Sequence, residues 1–428
     1  NTTERTITWP SGLVWNGGTA PTLLNSANAG DAQVFKLTTR DNGATWYADQ
    51  VVYNDNSSGS NLWSWGYNPY GTIGLNSLTR YSSPVQLPGS WIKFHQPASN
   101  YNGSQEGAPI FAAKGTSGAL WTWGINQKGQ LGLNDTVHRS SPVQVPGTTW
   151  ACVRGMSLDA SFATKTDGTL WIWGGNARGQ LGQNQGPGQL AAVSSPVQIG
   201  SDTTWPTTDD KLGGGAGQTP MAIKTDGTFW AWGYNAQGQL GDNSVVWKSS
   251  PVQIPGTNWA KISRGGGGSN LSFGIKTDGT LWAWGYNDTG ELGVNDRASR
   301  SSPTQIPGTS WSHVRHGVAC NFGFKTDGTL WAWGENGVGR LGLNAPEASK
   351  RSSPTQIPGT NWSDLVSDTN SSLAIKTDGT LWSWGYQGGS KGNLGQNNQT
   401  NYSSPVQIPG TWTSITASGQ NTYHALKS

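Results

Sequence analysis

Charge is the first thing this sequence is short of. Asp, Glu, Lys and Arg make up 12% of its 428 residues, and the formal net charge is only +3. That charged share is about half the usual one. A nucleic-acid binder carries a far stronger basic footprint, so no nucleic-acid partner is expected. Cysteine is nearly missing: Cys152 and Cys320 are the only two. Two thiols so far apart give neither a disulfide framework nor metal-ligand spacing, and buried free thiols are the expectation. No apolar run approaches the ~18 residues of a membrane helix, so membrane insertion is not expected and the chain reads as soluble. Walker loops, G-x-S-x-G and H-E-x-x-H are all missing, which removes the commonest enzyme signatures. Neither an enzyme nor a cofactor is expected.

What the sequence has instead is 62 Gly and 25 Trp, with hydrophobic residues at only 33%. A core poor in aliphatics must rest on large aromatics. The Trp residues are ordered. A W-x-W-G signature begins at Trp63, Trp121, Trp171, Trp230, Trp282, Trp331 and Trp382, at spacings of 58, 50, 59, 52, 49 and 51 residues. A repeat near 50 residues marks a propeller or a solenoid. Three Trp in each of seven repeats account for 21 of the 25, leaving Trp9, Trp15, Trp46 and Trp247.

Within the copy led by Trp282, Gly274–Lys276 reads as a strand and Thr277-Asp278-Gly279-Thr280 as a turn. Asp-Gly predicts a type I′ hairpin there. Leu281–Gly285 is the next strand, and N-x-x-G-x-L-G (Asn287 to Gly293) a tight glycine-supported loop. Ser301–Gly308, with Pro at each end, reads as an edge-type strand, and another strand starts at Trp311. Four antiparallel strands per repeat make one propeller blade. The last run, Tyr423–Ser428, aligns with the strand that precedes T-D-G-T, while Asn61–Gly66 is a W-x-W-G strand with nothing before it. One blade is therefore expected to be split between the chain ends, closing the ring and removing its free edges. The fold class is all-β: a seven-bladed β-propeller over residues 56–428, closed by N- and C-terminal strands.

Residues 1–55 do not match the repeat. Thr6–Trp9 and Leu13–Trp15 are strand-like, and Gln33–Thr38 with Thr45–Val52 reads as a hairpin about Asp41-Asn42-Gly43. This small β module is followed by a flexible linker at Asn54–Ser60. The chain begins at Asn1 without Met, so it is expected to be the processed or ordered part of a longer protein.

The repeat resembles the regulator of chromosome condensation family, a seven-bladed propeller. The resemblance rests on W-G-x-N-x-x-G-Q-L-G, as in Trp123 to Gly132, and extends over residues 61–428. The last copy departs from it, with Gln387 in place of Asn and a longer loop to Leu394. Some family members are guanine-nucleotide exchange factors for small GTPases; their exchange loops have no match here. His424 stands where other copies place Phe162, Phe273 or Leu373, so it is expected to be packed rather than catalytic. The strings WNGGTAPTL and DNGATWY in residues 1–55 resemble segments of tailed-bacteriophage structural proteins.

Strand parity puts the T-D-G-T and P-G-T turns on one face of the ring. The N-x-x-G-x-L-G loops and the length-variable segments, longest at Lys93–Pro109 and Thr207–Thr219, lie on the other. Variation on one rim of a constant scaffold is where binding specificity sits. A cation recurs there just before S-S-P: Arg139, Lys248, Arg300 and Arg351, with Arg80 one place earlier and Arg297 and Lys350 nearby. This is either a ring for an acidic partner or a set of solvated charges capping local carbonyls. Tyr81, Trp247 and Tyr402 are candidates for stacking on sugar rings, and Tyr101, in the longest variable segment, is a further binding candidate. His313-x-x-His316 lacks a third ligand, Asp209-Asp210 reads as loop chemistry, and the repeated T-D-G-T Asp reads as a turn residue.

The expected function is a non-enzymatic structural and binding protein of a virion or extracellular surface. As a tail fibre, decoration or host-attachment protein it would contact other virion or surface proteins through residues 1–55. A host glycan or a second copy would meet the propeller. The alternatives are a secreted or cell-surface lectin-like propeller and an exchange factor.

Overall fold

In the computed structural model, residues 60–428 are described except at 67, 69, 80, 96–109, 115–117, 156–159, 216–217, 263–269, 318, 346–348, 368–369, 388–393, 418–422 and 428; of residues 1–59 only strands at 13–15, 34–39 and 46–51 are described. Those strands are Leu13–Trp15, Val34–Thr39 and Trp46–Val51. Val34–Thr39 and Trp46–Val51 pair antiparallel, as the hairpin reading expects, and Leu13–Trp15 lies parallel to Trp46–Val51. The expected strand at Thr6–Trp9 lies outside the described residues.

Between residues 150 and 408 the chain is a succession of five four-stranded antiparallel meanders, with a five-stranded sheet before them and a two-stranded one after. We number the blades along the chain. Blade four is typical: Trp259–Ile262, Leu271–Lys276, Leu281–Gly285 and Arg300–Gln305, paired in chain order. The long strand Tyr81–His95 serves two blades, pairing Ser60–Gly66 at its start and Ile110–Lys114 at its end. Trp412–Ala417 and Tyr423–Lys427 pair in a two-stranded sheet at the end of the chain, and Ser60–Gly66 at its front pairs with the start of Tyr81–His95 in a five-stranded sheet; these are the strands of blade seven. The architecture is all-β and its blade count agrees with seven.

Burial follows strand position. The second strand of a blade is buried along nearly its whole length, the third only slightly less, and the S-S-P strand is half-buried throughout. First strands of successive blades lie against one another, as Trp311–His316 does against Trp362–Ser367, so they line the axis and the S-S-P strands form the rim. A proline that cannot donate to a ladder is tolerated at such an edge.

Blades are joined by tryptophan. The second Trp of W-x-W-G is fully buried, and its ring meets a Phe of the preceding blade: Trp333 lies 6.0 Å from Phe273 and Trp384 6.2 Å from Phe322. Edge-on contacts of this kind suit the aromatic quadrupole. Core clusters therefore run across blade boundaries; Phe273, Leu292 and Trp333 share one.

The T-D-G-T turn departs from the type I′ expectation. Gly279 N–H donates to Lys276 O and Lys276 N–H to Thr280 O, both at 3.0 Å. Gly279 has φ +76°, whereas Asp278 is not among the residues with positive φ. This is a type I turn followed by a glycine in the bulge position. The physical reason is the Asp side chain, which bonds back to its own turn from the right-handed region.

Candidate binding face

The constant face is occupied by its own repeats. Asp278 Oδ1 accepts from Thr280 N–H at 2.9 Å and from Thr280 Oγ1–H at 2.7 Å. Thr280 Oγ1 in turn accepts from Trp282 Nε1–H at 2.9 Å. The same chain of bonds stands at Asp167, Asp226, Asp327 and Asp378. Hydrogen bonds from the Thr hydroxyl and amide hold each carboxyl below its ordinary range. Beside it, Lys276 Nζ sits 5.0 Å from the Trp259 ring and 4.4 Å from the Trp282 ring. Lys165, Lys224, Lys325 and Lys376 repeat that double cation–π contact. The Asp and Lys of this face are thus consumed in building it.

On the opposite face, each N-x-x-G-x-L-G loop is folded around a buried amide. Asn287 Oδ1 accepts from Leu292 N–H at 2.8 Å, and its Nδ2 donates to Asp296 O and Ala298 O at 3.0 Å each. Where Gln387 replaces Asn, its longer side chain spans the longer loop, accepting from Leu394 N–H at 2.7 Å and donating to Asn398 O. The loop also clasps the next blade. Glu291 O accepts from Trp333 Nε1–H at 2.7 Å, and Asn295 N–H donates to Ser352 O at 2.7 Å. Gly290, at φ +88°, must be glycine: a Cβ would lie 2.8 Å from Ser352 Cα.

The candidate cations divide. Arg139 pairs with Asp135 and bonds Val137 O, and Arg300 does the same with Asp296 and Ala298 O. Lys248 pairs with Asp242 at 3.2 Å. These three cap their own loops. Arg297 is exposed, Lys350 and Arg351 are half-buried, and Tyr402 is half-buried with its hydroxyl accepting from Asn398 Nδ2 at 2.9 Å. The side chains of Arg80, Tyr81, Tyr101 and His424 lie outside those described.

Trp247 gathers a group the sequence did not show. It is 39% exposed, its ring lies 5.4 Å from that of Tyr234, and Arg178 of the preceding blade stacks over it at 4.6 Å. Arg178 fills a variable x of N-x-x-G, a place the sequence marks only as loop. Tyr70 meets His138 across another blade boundary at 4.9 Å.

Nearer the axis, a cavity of about 420 Å³ is lined by Asp210, Lys261, His313, Arg315 and Asp364. Arg315 Nε donates to Asp364 Oδ1 at 2.8 Å, joining blades five and six. His313 and His316, three apart on one strand, point to opposite sides of it. His313 stacks on Phe324 at 4.2 Å, while buried His316 has Nδ1 2.7 Å from Asn321 Oδ1. Burial pushes both imidazoles down to about 4. Asp209 pairs with Arg154 of the neighbouring blade at 3.0 Å, a structural contact. Cys152 and Cys320 are free and buried, and burial raises the Cys320 thiol to about 11. Among the described residues, no three His, Cys, Asp or Glu side chains are grouped to hold a metal ion, and no helix is long and apolar enough to cross a membrane.

Comparison with known proteins places this repeat. The model of the regulator of chromosome condensation (RCC1) repeat matches residues 117–155, 226–274, 278–321 and 327–367. The matched segments, about two fifths of the chain, resemble RCC1 repeats. The ultraviolet-B receptor UVR8 of Arabidopsis thaliana is 25% identical over 252 residues, 58% of this chain and 54% of its own. RUG3, a mitochondrial RCC1 domain-containing protein of the same plant, is 26% identical over 57% of this chain and 42% of its own. The chain spans about half the length of these curated relatives. Among solved structures, Prp20p of Saccharomyces cerevisiae, described with its binding to Gsp1p and histones, aligns at TM-score 0.62 and 18% identity over 88% of this chain and 93% of that one. Human WBSCR16 aligns at TM-score 0.63 and 17% identity over 86% of this chain and 100% of that one. Both structures share the RCC1-like propeller fold.

Proposed function

We propose that this RCC1-repeat propeller is a non-enzymatic binding scaffold that offers its variable face to a protein partner. The carrying observation is the contrast between the two faces. Asp and Lys of the constant face are spent on Thr, Trp and backbone of the same repeats. The variable face keeps aromatic, aliphatic and cationic side chains in solvent. Prp20p, of the same fold, is described as binding Gsp1p and histones. Residues 1–55, with their phage-like strings, would attach the propeller to a virion or another extracellular surface.

A glycan partner is the second reading, favoured by the exposed ring of Trp247 beside Tyr234. Quantitative mass spectrometry of purified particles from the source tests the attachment role. Recovery at fixed stoichiometry with the major structural proteins supports it. Recovery only in a soluble secreted fraction transfers the assignment to a free lectin-like propeller, and a glycan array then decides. Accelerated nucleotide release from a small GTPase would instead make the chain an exchange factor.

A further inference from the structure

The exposed large hydrophobic side chains of the described residues are not scattered. They are Leu78, Val137, Val245, Val246 and Trp247, at 62%, 60%, 60%, 61% and 39% exposure. All five stand in the loop between third and fourth strands, in blades seven, one and three. Blade two, which lies between one and three, exposes Ala191 in the same loop and Ala192 at the start of its fourth strand. Around the ring these four blades are consecutive. In blades four and six the matching places hold polar groups such as Arg297, Gln399 and Thr400. Among the described residues the large exposed apolar side chains are therefore confined to one arc of the rim, blade four offering only Ala298 beside Arg297 and blade six only polar groups, although the repeats beneath are alike. Contiguous apolar surface of this kind on a soluble scaffold marks an interaction site.

Two observations restrict what covers it. First, the arc is held in shape. Arg178 stacks on Trp247 across the boundary of blades two and three, with Tyr234 at the edge of the indole. Second, its spare charge is positive. Arg139 and Lys248 are neutralised by Asp135 and Asp242. Lys128 and Arg178 are exposed at the same place in successive loops, and neither forms an ion pair among the described residues. In blade four the adjoining place of the loop is Asp288.

We infer that the rim of blades seven to three docks an apolar segment of a partner protein flanked by Asp or Glu. The apolar anchors lie along Val137, Val246 and Trp247, and the acidic flanks meet Lys128 and Arg178. Apolar burial supplies the affinity and the charges set register and association rate. This rests on the reading that the variable face binds protein, and it names the part of the face and the chemistry of the partner.

The test is selection of an mRNA-displayed random peptide library on the full chain. Peptides that converge on two or more apolar anchors with acidic flanks are the expected result. Val246→Asp leaves the backbone carbonyl that Asn235 Nδ2 bonds in place, so that loop keeps its fold, and it should weaken them about tenfold or more. Arg178→Glu should weaken them too, with affinity restored when the acidic flanks are changed to Lys. Peptides that bind both variants as well as the parent overturn the arc while leaving protein binding by the face intact. Failure to select any peptide, together with glycan binding lost in Trp247→Ala, overturns both. A concentration-dependent dimer in sedimentation, abolished by Val246→Asp, overturns the assignment in favour of a second copy as occupant.

Discussion

Replacing Asn287 by Ala tests whether the repeat is held together by one buried amide per loop. The side chain is fully buried and satisfies three backbone groups: Leu292 N–H, Asp296 O and Ala298 O. They do not weigh equally. Asp296 and Ala298 are exposed residues whose carbonyls can be rehydrated, whereas Leu292 is buried and its amide has no water to turn to. An orphaned buried donor costs about 1–3 kcal/mol. Each lost but rehydrated bond adds about 0.5–1 kcal/mol, the net worth of an ordinary hydrogen bond. Asn287→Ala should therefore destabilise the propeller by about 2–5 kcal/mol. The assay is urea unfolding followed by Trp fluorescence, comparing midpoints at unchanged slope. Glu291 O, on the same loop, accepts from Trp333 Nε1–H, so emission from the buried Trp333 should shift to the red before the main transition. A loss below about 0.5 kcal/mol, the scale of an ordinary surface substitution, would refute the claim that the loop is organised around this amide.

The other predictions probe the contacts between and within blades. Gly290→Ala should cost about 1–3 kcal/mol, because positive φ and a Cβ 2.8 Å from Ser352 Cα both oppose it; the same urea titration reads it. Lys276→Gln should cost about 1 kcal/mol, its ammonium being placed over two indoles. Asp202 is opposed by burial but drawn down to about 2 by its bond to Lys224 and by Thr204. Its contribution should be complete above the ordinary 3.8, fall as pH drops through about 2, and shrink in Lys224→Met to the part that Thr204 supplies, as a pH series of unfolding midpoints will show. His316 is held neutral, down at about 4, by burial. Because the unfolded chain takes up the proton first, stability should fall as pH drops from about 6.5 towards 4, and that slope should be reduced in His316→Gln.

The fold was legible because the period is carried by residues whose burial the repeat itself demands. Trp284, Trp333 and Trp384 stand one per blade at the same place, and no other arrangement buries each against a neighbour's Phe or Met. The turn was less legible. Asp-Gly usually signals two residues of positive φ, and only the position of the following Thr reveals that the Asp side chain is already committed to bonds that hold it right-handed. The cations show a further limit. Arg139 and Arg300 each stand four residues after an Asp, at Asp135 and Asp296, a spacing visible in the sequence that foreshadows their local pairing. Arg351 stands four residues after Glu347 rather than an Asp, and Glu347 lies outside the described residues, so the same spacing does not decide its pairing.

What the sequence could not show is the contact of one blade's loop with the next. Arg178 and Trp247 are 69 residues apart, and nothing in either repeat names the other. They meet because each loop leans over the following blade, placing the third residue of N-x-x-G beside the residue that precedes the S-S-P cation. The same geometry holds Tyr70 beside His138. The repeat thus builds a two-residue slot at these two blade junctions on the rim and leaves its chemistry open. Tyr with His fills one and Arg with Trp another, while the backbone clasp beneath is the same. A scaffold of this kind can change its partner by substituting slot residues without altering a buried contact. The prediction is that exchanging Arg178 and Trp247 together for Gln and Ser, the residues at the matching positions Gln237 and Ser299, will move the unfolding midpoint little. It will abolish binding of the selected peptides; a large loss of stability would show that the slot is part of the core and not free to specify.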